Sequence, residues 1–105
     1  MLEIIPLTAL KDNYIWILIN KINQCVAIVD PSEHEPVLKY IESRNLNPIA
    51  ILITHHHWDH VGGITGLTKK YSMPVYTPEK EFVEGSTNPV CEGDVISLPK
   101  LGLEI

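Results

Sequence analysis

The chain lacks the features that mark exported, membrane-spanning or nucleic-acid-binding proteins. Its uninterrupted apolar runs, such as residues 49–53, are far too short to cross a bilayer. The N-terminus has no basic region followed by a long apolar stretch, so no signal peptide is predicted. Lys and Arg number only eight against thirteen Asp and Glu, which gives a formal net charge of -5. The absence of a basic stripe argues against a nucleic acid partner.

Cysteine is scarce as well. The two thiols, Cys25 and Cys91, do not make a disulfide framework, and their apolar neighbours predict small buried side chains. Such cysteine usage is typical of proteins in a reducing compartment. We therefore predict a cytoplasmic location, or a mitochondrial one if the chain comes from a longer precursor, and no membrane partner.

The first part of the chain predicts three strands. Residues 2–7, 14–20 and 25–29 are rich in β-branched, aromatic or other apolar side chains, and turn-forming residues separate them. The connections between these segments are too short for crossover helices. The three strands should therefore form an antiparallel meander.

The hydrophobic period then changes to that of a helix over residues 35–45, which begin with Glu-Pro. Residues 49–54 are almost continuously apolar, as expected of a strand buried on both faces. A second helix is predicted over residues 64–71. The remaining predicted strands are short: residues 74–77, 95–98 and 101–105. Strands followed by a strand–helix–strand pattern predict an α/β fold with a mixed sheet.

No polar tail or capping signal follows the last predicted strand. Domains rarely end inside a strand, since their boundaries usually fall in exposed polar segments. We therefore predict that residues 1–105 form part of a domain that is truncated at its C-terminal end.

Four of the five histidines lie within the six residues from His55 to His60. This cluster follows a buried strand, and ligands of open α/β sheets bind at the carboxyl ends of strands. Imidazole and carboxylate groups are both ligands of zinc. Residues two apart in an extended loop point the same way, so His55 and His57 can converge on one ion. Asp59 and His60 can turn towards a second ion. The alternative is a polar loop or a chance His-rich tract.

Other polar residues are assigned different roles. His56 and Trp58 alternate out of the ligand set and are predicted to pack or to support the ligands. Asp30 ends a strand and is predicted either to order the loops beneath the metals or to be a simple turn residue. His34 precedes the first helix and is predicted to be a surface residue.

The residues around the cluster resemble a known family. Residues 54–63 read Thr-His-His-His-Trp-Asp-His-Val-Gly-Gly, which is similar to the His-x-His-x-Asp-His signature of the metallo-beta-lactamase fold superfamily. Residues 10–16, Leu-Lys-Asp-Asn-Tyr-Ile-Trp, resemble the N-terminal segment of its glyoxalase II (hydroxyacylglutathione hydrolase) branch. The resemblance covers essentially the whole chain. It implies the N-terminal half of an αββα sandwich, a mixed sheet with helices on one face.

The resemblance also implies a site and a reaction. His55 and His57 would bind the first of two divalent metal ions, and Asp59 and His60 the second. Zinc is expected, although the same ligands accept iron or manganese. A hydroxide bridging the two ions would attack the thioester of an S-(2-hydroxyacyl)glutathione, such as lactoylglutathione, and release glutathione and a 2-hydroxy acid, a step of methylglyoxal detoxification. Asp59 would then act both as a ligand and as the catalytic negative group beside the hydroxide.

The family completes its two metal sites with further His and Asp residues that have no counterpart here. Two ligands for each ion are fewer than the three usual in a catalytic zinc site, so the chain alone is expected to be inactive. One sheet face would lack its partner layer, and self-association through that face is expected. The alternatives are another hydrolase of this fold, of lactonase or nuclease type, and a metal-dead interaction fragment.

Overall fold

The computed structural model describes residues 2–9, 13–54, 63–78, 86–90, 97–98 and 103–104, and in these residues a six-stranded sheet carries two helices. The strands of this sheet are β1 (Leu2–Ala9), β2 (Asn13–Asn20), β3 (Cys25–Val29), β4 (Asn47–Leu52), β5 (Val75–Pro78) and β6 (Asn88–Val90). The helices are α1 (Glu35–Arg44) and α2 (Ile64–Lys70). A separate two-stranded sheet contains β7 (Ser97–Leu98) and β8 (Leu103–Glu104).

Strand order in the large sheet follows chain order, from β1 to β6. The pairs β1–β2 and β2–β3 are antiparallel, whereas β3–β4, β4–β5 and β5–β6 are parallel. Parallel neighbours need a crossover connection, and α1 lies between β3 and β4 in the chain as α2 lies between β4 and β5. The predicted meander, the predicted helices and the mixed sheet are confirmed.

Both helices pack on one face of the sheet, as predicted. In β2 the helix-facing residues Ile15 and Ile17 are fully buried, whereas Trp16 between them is exposed. Fully burying one such side chain stabilises the fold by about 1.5–3 kcal/mol. The core on this face comprises Ile15, Ile17, Ile19, Val26, Ile28, Val37, Ile41, Ile51, Ile53, Ile64, Leu67, Met73 and Val75.

The opposite face of the sheet has a smaller cluster of buried residues. It comprises Cys25, Ala27, Ala50, Leu52 and, from β7, Leu98. Cys25 is a buried free thiol, which confirms the prediction for this residue; Cys91 lies outside the described residues. In the described part of the chain no helix contributes to this cluster, and Leu98 of β7 is the one member from outside the large sheet.

One end of the second face exposes what we call the apolar strip, which is Ile4, Pro6, Tyr14 and Trp16. Pro6 lies opposite Trp16, and Ile4 lies opposite Leu18, which packs on the second cluster, so these side chains share a face. The exposed fractions are 58% for Ile4, 54% for Tyr14 and 42% for Trp16. The rings of Tyr14 and Trp16 contact each other with their centroids 6.0 Å apart.

Strand β6 and the start of β4 differ from the sequence-based prediction. No strand was predicted at β6. Pro89 is the middle of its three residues, and proline cannot donate to a sheet ladder. Proline is tolerated at a sheet edge, and β6 is the last strand in the order. Strand β4 begins at Asn47, and its pairing with β3 shifts register between Val26 and Ala27. Such a shift is the mark of a β-bulge.

An exposed ion pair connects the two helices. Lys70 of α2 forms an ion pair with Glu42 of α1, and the hydrogen bond to Glu42 raises the pKa of Lys70 above its ordinary value. Exposed pairs of this kind contribute little to stability. Neither of the two described helices is long and apolar enough to span a membrane.

Candidate metal centre

The predicted ligands His55, His57, Asp59 and His60 lie in residues 55–62, outside the described residues. Among the residues that the structure does describe, no group of three or more His, Cys, Asp and Glu could hold a metal ion. The ligand assignment therefore stays a prediction. What the structure describes are the two borders of this segment, Thr54 after β4 and Gly63 before α2.

The first border lies at the carboxyl end of a central strand. The N–H of Ile53 donates to the carbonyl of Tyr76 over 2.9 Å, which continues the pairing of β4 with β5 up to the residue before Thr54. Because β3 to β6 are parallel, their carboxyl ends lie along the same edge of the sheet. Ligands of open α/β sheets bind at such edges. The segment of predicted ligands therefore begins where a site is expected.

Asp30 holds this first border. Its carboxylate accepts a hydrogen bond from the backbone N–H of Thr54 at 2.7 Å and another from the Thr54 hydroxyl at 2.5 Å. The N–H of Asp30 donates to the carbonyl of Leu52 over 2.9 Å. Asp30 is 7% exposed and has φ of 53°, a left-handed conformation that Asp adopts more readily than most residues. Of the two roles considered for Asp30, these contacts support ordering of the segment after β4.

The second border is held by the same stretch of chain, residues 30–34, which we call the β3–α1 turn. The N–H of Gly63 donates to the carbonyl of Pro31 over 2.7 Å. A Cβ at position 63 would lie 2.7 Å from both the Pro31 carbonyl oxygen and the Glu33 carbonyl carbon. Backbone atoms cannot move aside as the end of a flexible side chain can, so only glycine fits at position 63. The β3–α1 turn thus contacts both ends of the segment.

His34, predicted to be a surface residue, is instead partly buried against α2. A Cβ at Gly66 would lie 2.3 Å from His34 Cγ and 2.4 Å from Nδ1. The imidazole therefore occupies the space that a side chain at position 66 would need. The sequence signal for this contact was a glycine inside a helical segment, which often marks close packing.

The β3–α1 turn also contains a buried hydroxyl. The hydroxyl of Ser32 is buried and has no hydrogen-bond partner in the described part of the chain. Ser32 lies between Pro31 and Glu33, whose backbone atoms contact Gly63. Most buried polar side-chain atoms have a hydrogen-bond partner, so this hydroxyl is an exception among the described residues.

The donor set of residues 55–60 has the chemistry that divalent cations require. The four predicted ligands among them, three imidazoles and one carboxylate, are nitrogen and oxygen donors suited to zinc, iron or manganese. The borders of the segment fit such a role because hydrogen bonds and close packing fix them to a buried turn. The residues present are therefore compatible with bound metal.

Comparison with known sequence families identifies the fold family. The model of the metallo-beta-lactamase superfamily matches residues 12–99. The chain belongs to the metallo-beta-lactamase superfamily. This match covers β2 to β7, both helices and all four predicted ligands.

Within the metallo-beta-lactamase superfamily, the chain is similar to hydroxyacylglutathione hydrolases. It is 49% identical over 104 residues to the enzyme of Nitrosomonas eutropha, covering 99% of this chain and 40% of that protein. It is 47% identical over 105 residues to that of Nitrosomonas europaea, covering 100% of this chain and 39% of that protein. The resemblance to the glyoxalase II branch is confirmed, and the chain spans about 40% of these relatives' length.

Solved structures agree on the metallo-beta-lactamase fold. The BLEG-1 B3 metallo-beta-lactamase matches with a TM-score of 0.77 and 23% identity, over 93% of this chain and 56% of that chain. ETHE1 from Myxococcus xanthus matches with a TM-score of 0.73 and 19% identity, over 90% of this chain and 43% of that chain. At these identities the likeness concerns the fold alone, and it confirms the predicted fold class.

Proposed function

We propose that the protein carrying this chain is a metal-dependent thioester hydrolase. It cleaves S-(2-hydroxyacyl)glutathione, such as lactoylglutathione, to glutathione and a 2-hydroxy acid. The observation that carries the proposal is the 47–49% identity to hydroxyacylglutathione hydrolases over essentially the whole chain. From that substrate we propose a role in methylglyoxal detoxification, and from the cysteine usage a cytoplasmic location.

The proposed ligands form two pairs, His55 with His57 and Asp59 with His60. When bound, divalent ions lower the pKa of a water molecule and polarise the carbonyl that it attacks. Zinc is the proposed metal, and iron and manganese fit the same donors. The carboxylate of Asp59 adds negative charge beside the reacting centre. The thiolate of glutathione is a good leaving group, so the reaction needs little help from a general acid.

Four ligands shared by two ions leave two for each, whereas catalytic zinc sites usually have three protein ligands. The activity is therefore proposed for the protein at its natural length. The 105-residue chain alone is expected to bind metal weakly and to hydrolyse little thioester.

The test is an assay of the protein at its natural length with lactoylglutathione, a simple lactone and a phosphodiester, alongside metal analysis of the same preparation. We expect bound divalent metal and the fastest turnover with lactoylglutathione. Faster turnover of the lactone or the phosphodiester would favour another hydrolase of this fold. Absence of both metal and turnover would favour an interaction fragment.

The 105-residue chain on its own is expected to self-associate through the apolar strip. Trp16 is 42% exposed there beside Tyr14, and contiguous apolar surface of this kind favours association. Trp16→Lys should shift the chain to monomer in sedimentation velocity over a range of concentrations. Ile22→Lys is the matched control, because Ile22 is 84% exposed but lies in the turn after β2. A wild-type chain that stays monomeric would contradict this prediction.

A further inference from the structure

We propose that His34 is a positioning residue for residues 55–62, which we call the metal-binding segment. Its imidazole packs on Gly66 and so fixes the start of α2 against the β3–α1 turn. The proposal rests on the proposed function, since it assigns His34 to the metal site of that enzyme. His34 acts through packing and is not itself a ligand.

The two borders of residues 55–62 are fixed by different kinds of contact. Thr54 is held by two hydrogen bonds to the Asp30 carboxylate. Gly63 is held by one backbone hydrogen bond, from its N–H to the carbonyl of Pro31. Gly66, in the first turn of α2, adds the contact with the His34 ring. A shift of α2 relative to β4 would move one end of the metal-binding segment and leave the other in place.

Helix α2 depends on such contacts because its own sequence stabilises it weakly. It has seven residues, its N-cap Gly63 has no side chain, and its first turn has no acidic residue. Isolated helices of this length are unstable in water, so tertiary packing decides where the helix lies. Ile64 and Leu67 pack into the core, while Gly66 meets His34. These two contacts together fix the helix in position.

Helix capping does not explain a histidine at position 34. His34 is the N-cap of α1, and its carbonyl accepts the first helical hydrogen bond, from Leu38 N–H at 2.9 Å. Its side chain makes no capping hydrogen bond, whereas Ser, Thr, Asp and Asn are the residues that cap. The contact that the ring does make is with α2. Alanine at position 34 should therefore leave α1 intact and loosen α2.

The test compares His34→Ala, His34→Phe and Gly66→Ala in the protein at its natural length, with Co²⁺ as the only added metal. Binding is followed by the visible absorption of Co²⁺ in competition with a chelator. We expect His34→Ala and Gly66→Ala to weaken binding about tenfold, the size of effect seen when groups that orient metal ligands are removed. His34→Phe keeps a planar ring on Gly66 and should retain affinity. Thr65→Ala, at an exposed neighbouring position of α2, is the matched control.

Urea unfolding of the same variants separates positioning from a general loss of stability. A lower unfolding midpoint with unchanged Co²⁺ affinity would overturn the proposal. An equal loss in His34→Phe and His34→Ala would also overturn it, as would a wild-type protein that binds no Co²⁺. If the affinities follow the expected pattern but lactoylglutathione is not cleaved, the proposed function fails and the role of His34 stands.

Discussion

Asp30→Ala is expected to lower the free energy of unfolding by about 2–3 kcal/mol, because it removes two hydrogen bonds from a buried carboxylate. It also places alanine at a φ of 53°, where a side chain without a polar group is strained. A loss of this size is a large fraction of the stability of a small domain. Urea unfolding followed by circular dichroism measures it.

Two further variants resolve the contributions to this loss. Asp30→Asn keeps one acceptor oxygen and the tolerance for left-handed backbone, so its loss should be smaller. Thr54→Val removes only the hydroxyl and leaves the backbone N–H bonded to Asp30, and we expect a loss of about 1 kcal/mol. If Asp30→Ala unfolds at the wild-type urea concentration, the carboxylate does not hold the first border.

Asp59→Ala is expected to reduce bound metal and the turnover of lactoylglutathione together in the protein at its natural length. Its carboxylate is proposed both as a ligand and as the negative charge beside the reacting centre. We expect a loss of at least about a hundredfold in kcat/KM, because removing a ligand also removes the chemistry that the ion supplies. Metal analysis and steady-state kinetics on one preparation measure both quantities.

His56→Ala is the matched control for this prediction. His56 lies in the same cluster but alternates out of the ligand set, so metal content should stay at the wild-type level. Any change in turnover should be small beside that of Asp59→Ala. Unchanged metal stoichiometry and rate in Asp59→Ala would remove Asp59 from the proposed site.

The sheet could be predicted from the sequence because its strands have simple patterns. Residues 14–20 predicted β2 because they are rich in β-branched and aromatic side chains. The alternation of the buried Ile15 and Ile17 with more exposed residues is seen only in the structure. In β4 the apolar run predicted a strand covered on both faces, and Ala50 and Ile51 are buried on opposite sides. These patterns are local, so they can be read without knowing which strands are neighbours.

The features that the sequence did not predict depend on tertiary context. Pro89 argues against a strand until its place at the edge of the sheet is known. The packing of His34 on Gly66 connects two different helical regions, and neither residue alone shows that the other is its partner. Residue types and spacing predicted the four ligands, but no local pattern shows that one turn holds both borders of their segment. Asp30 was recognised as a candidate only because it ends a strand.

The agreement between strand order and chain order has a consequence for how the protein forms. During synthesis each strand from β2 to β6 can add to the edge left by the strand made just before it. Among these six described strands, none must be inserted between two earlier ones. Asp30 is synthesised before Thr54, so the acceptor of the two hydrogen bonds that fix the first border precedes the histidine cluster in the order of synthesis.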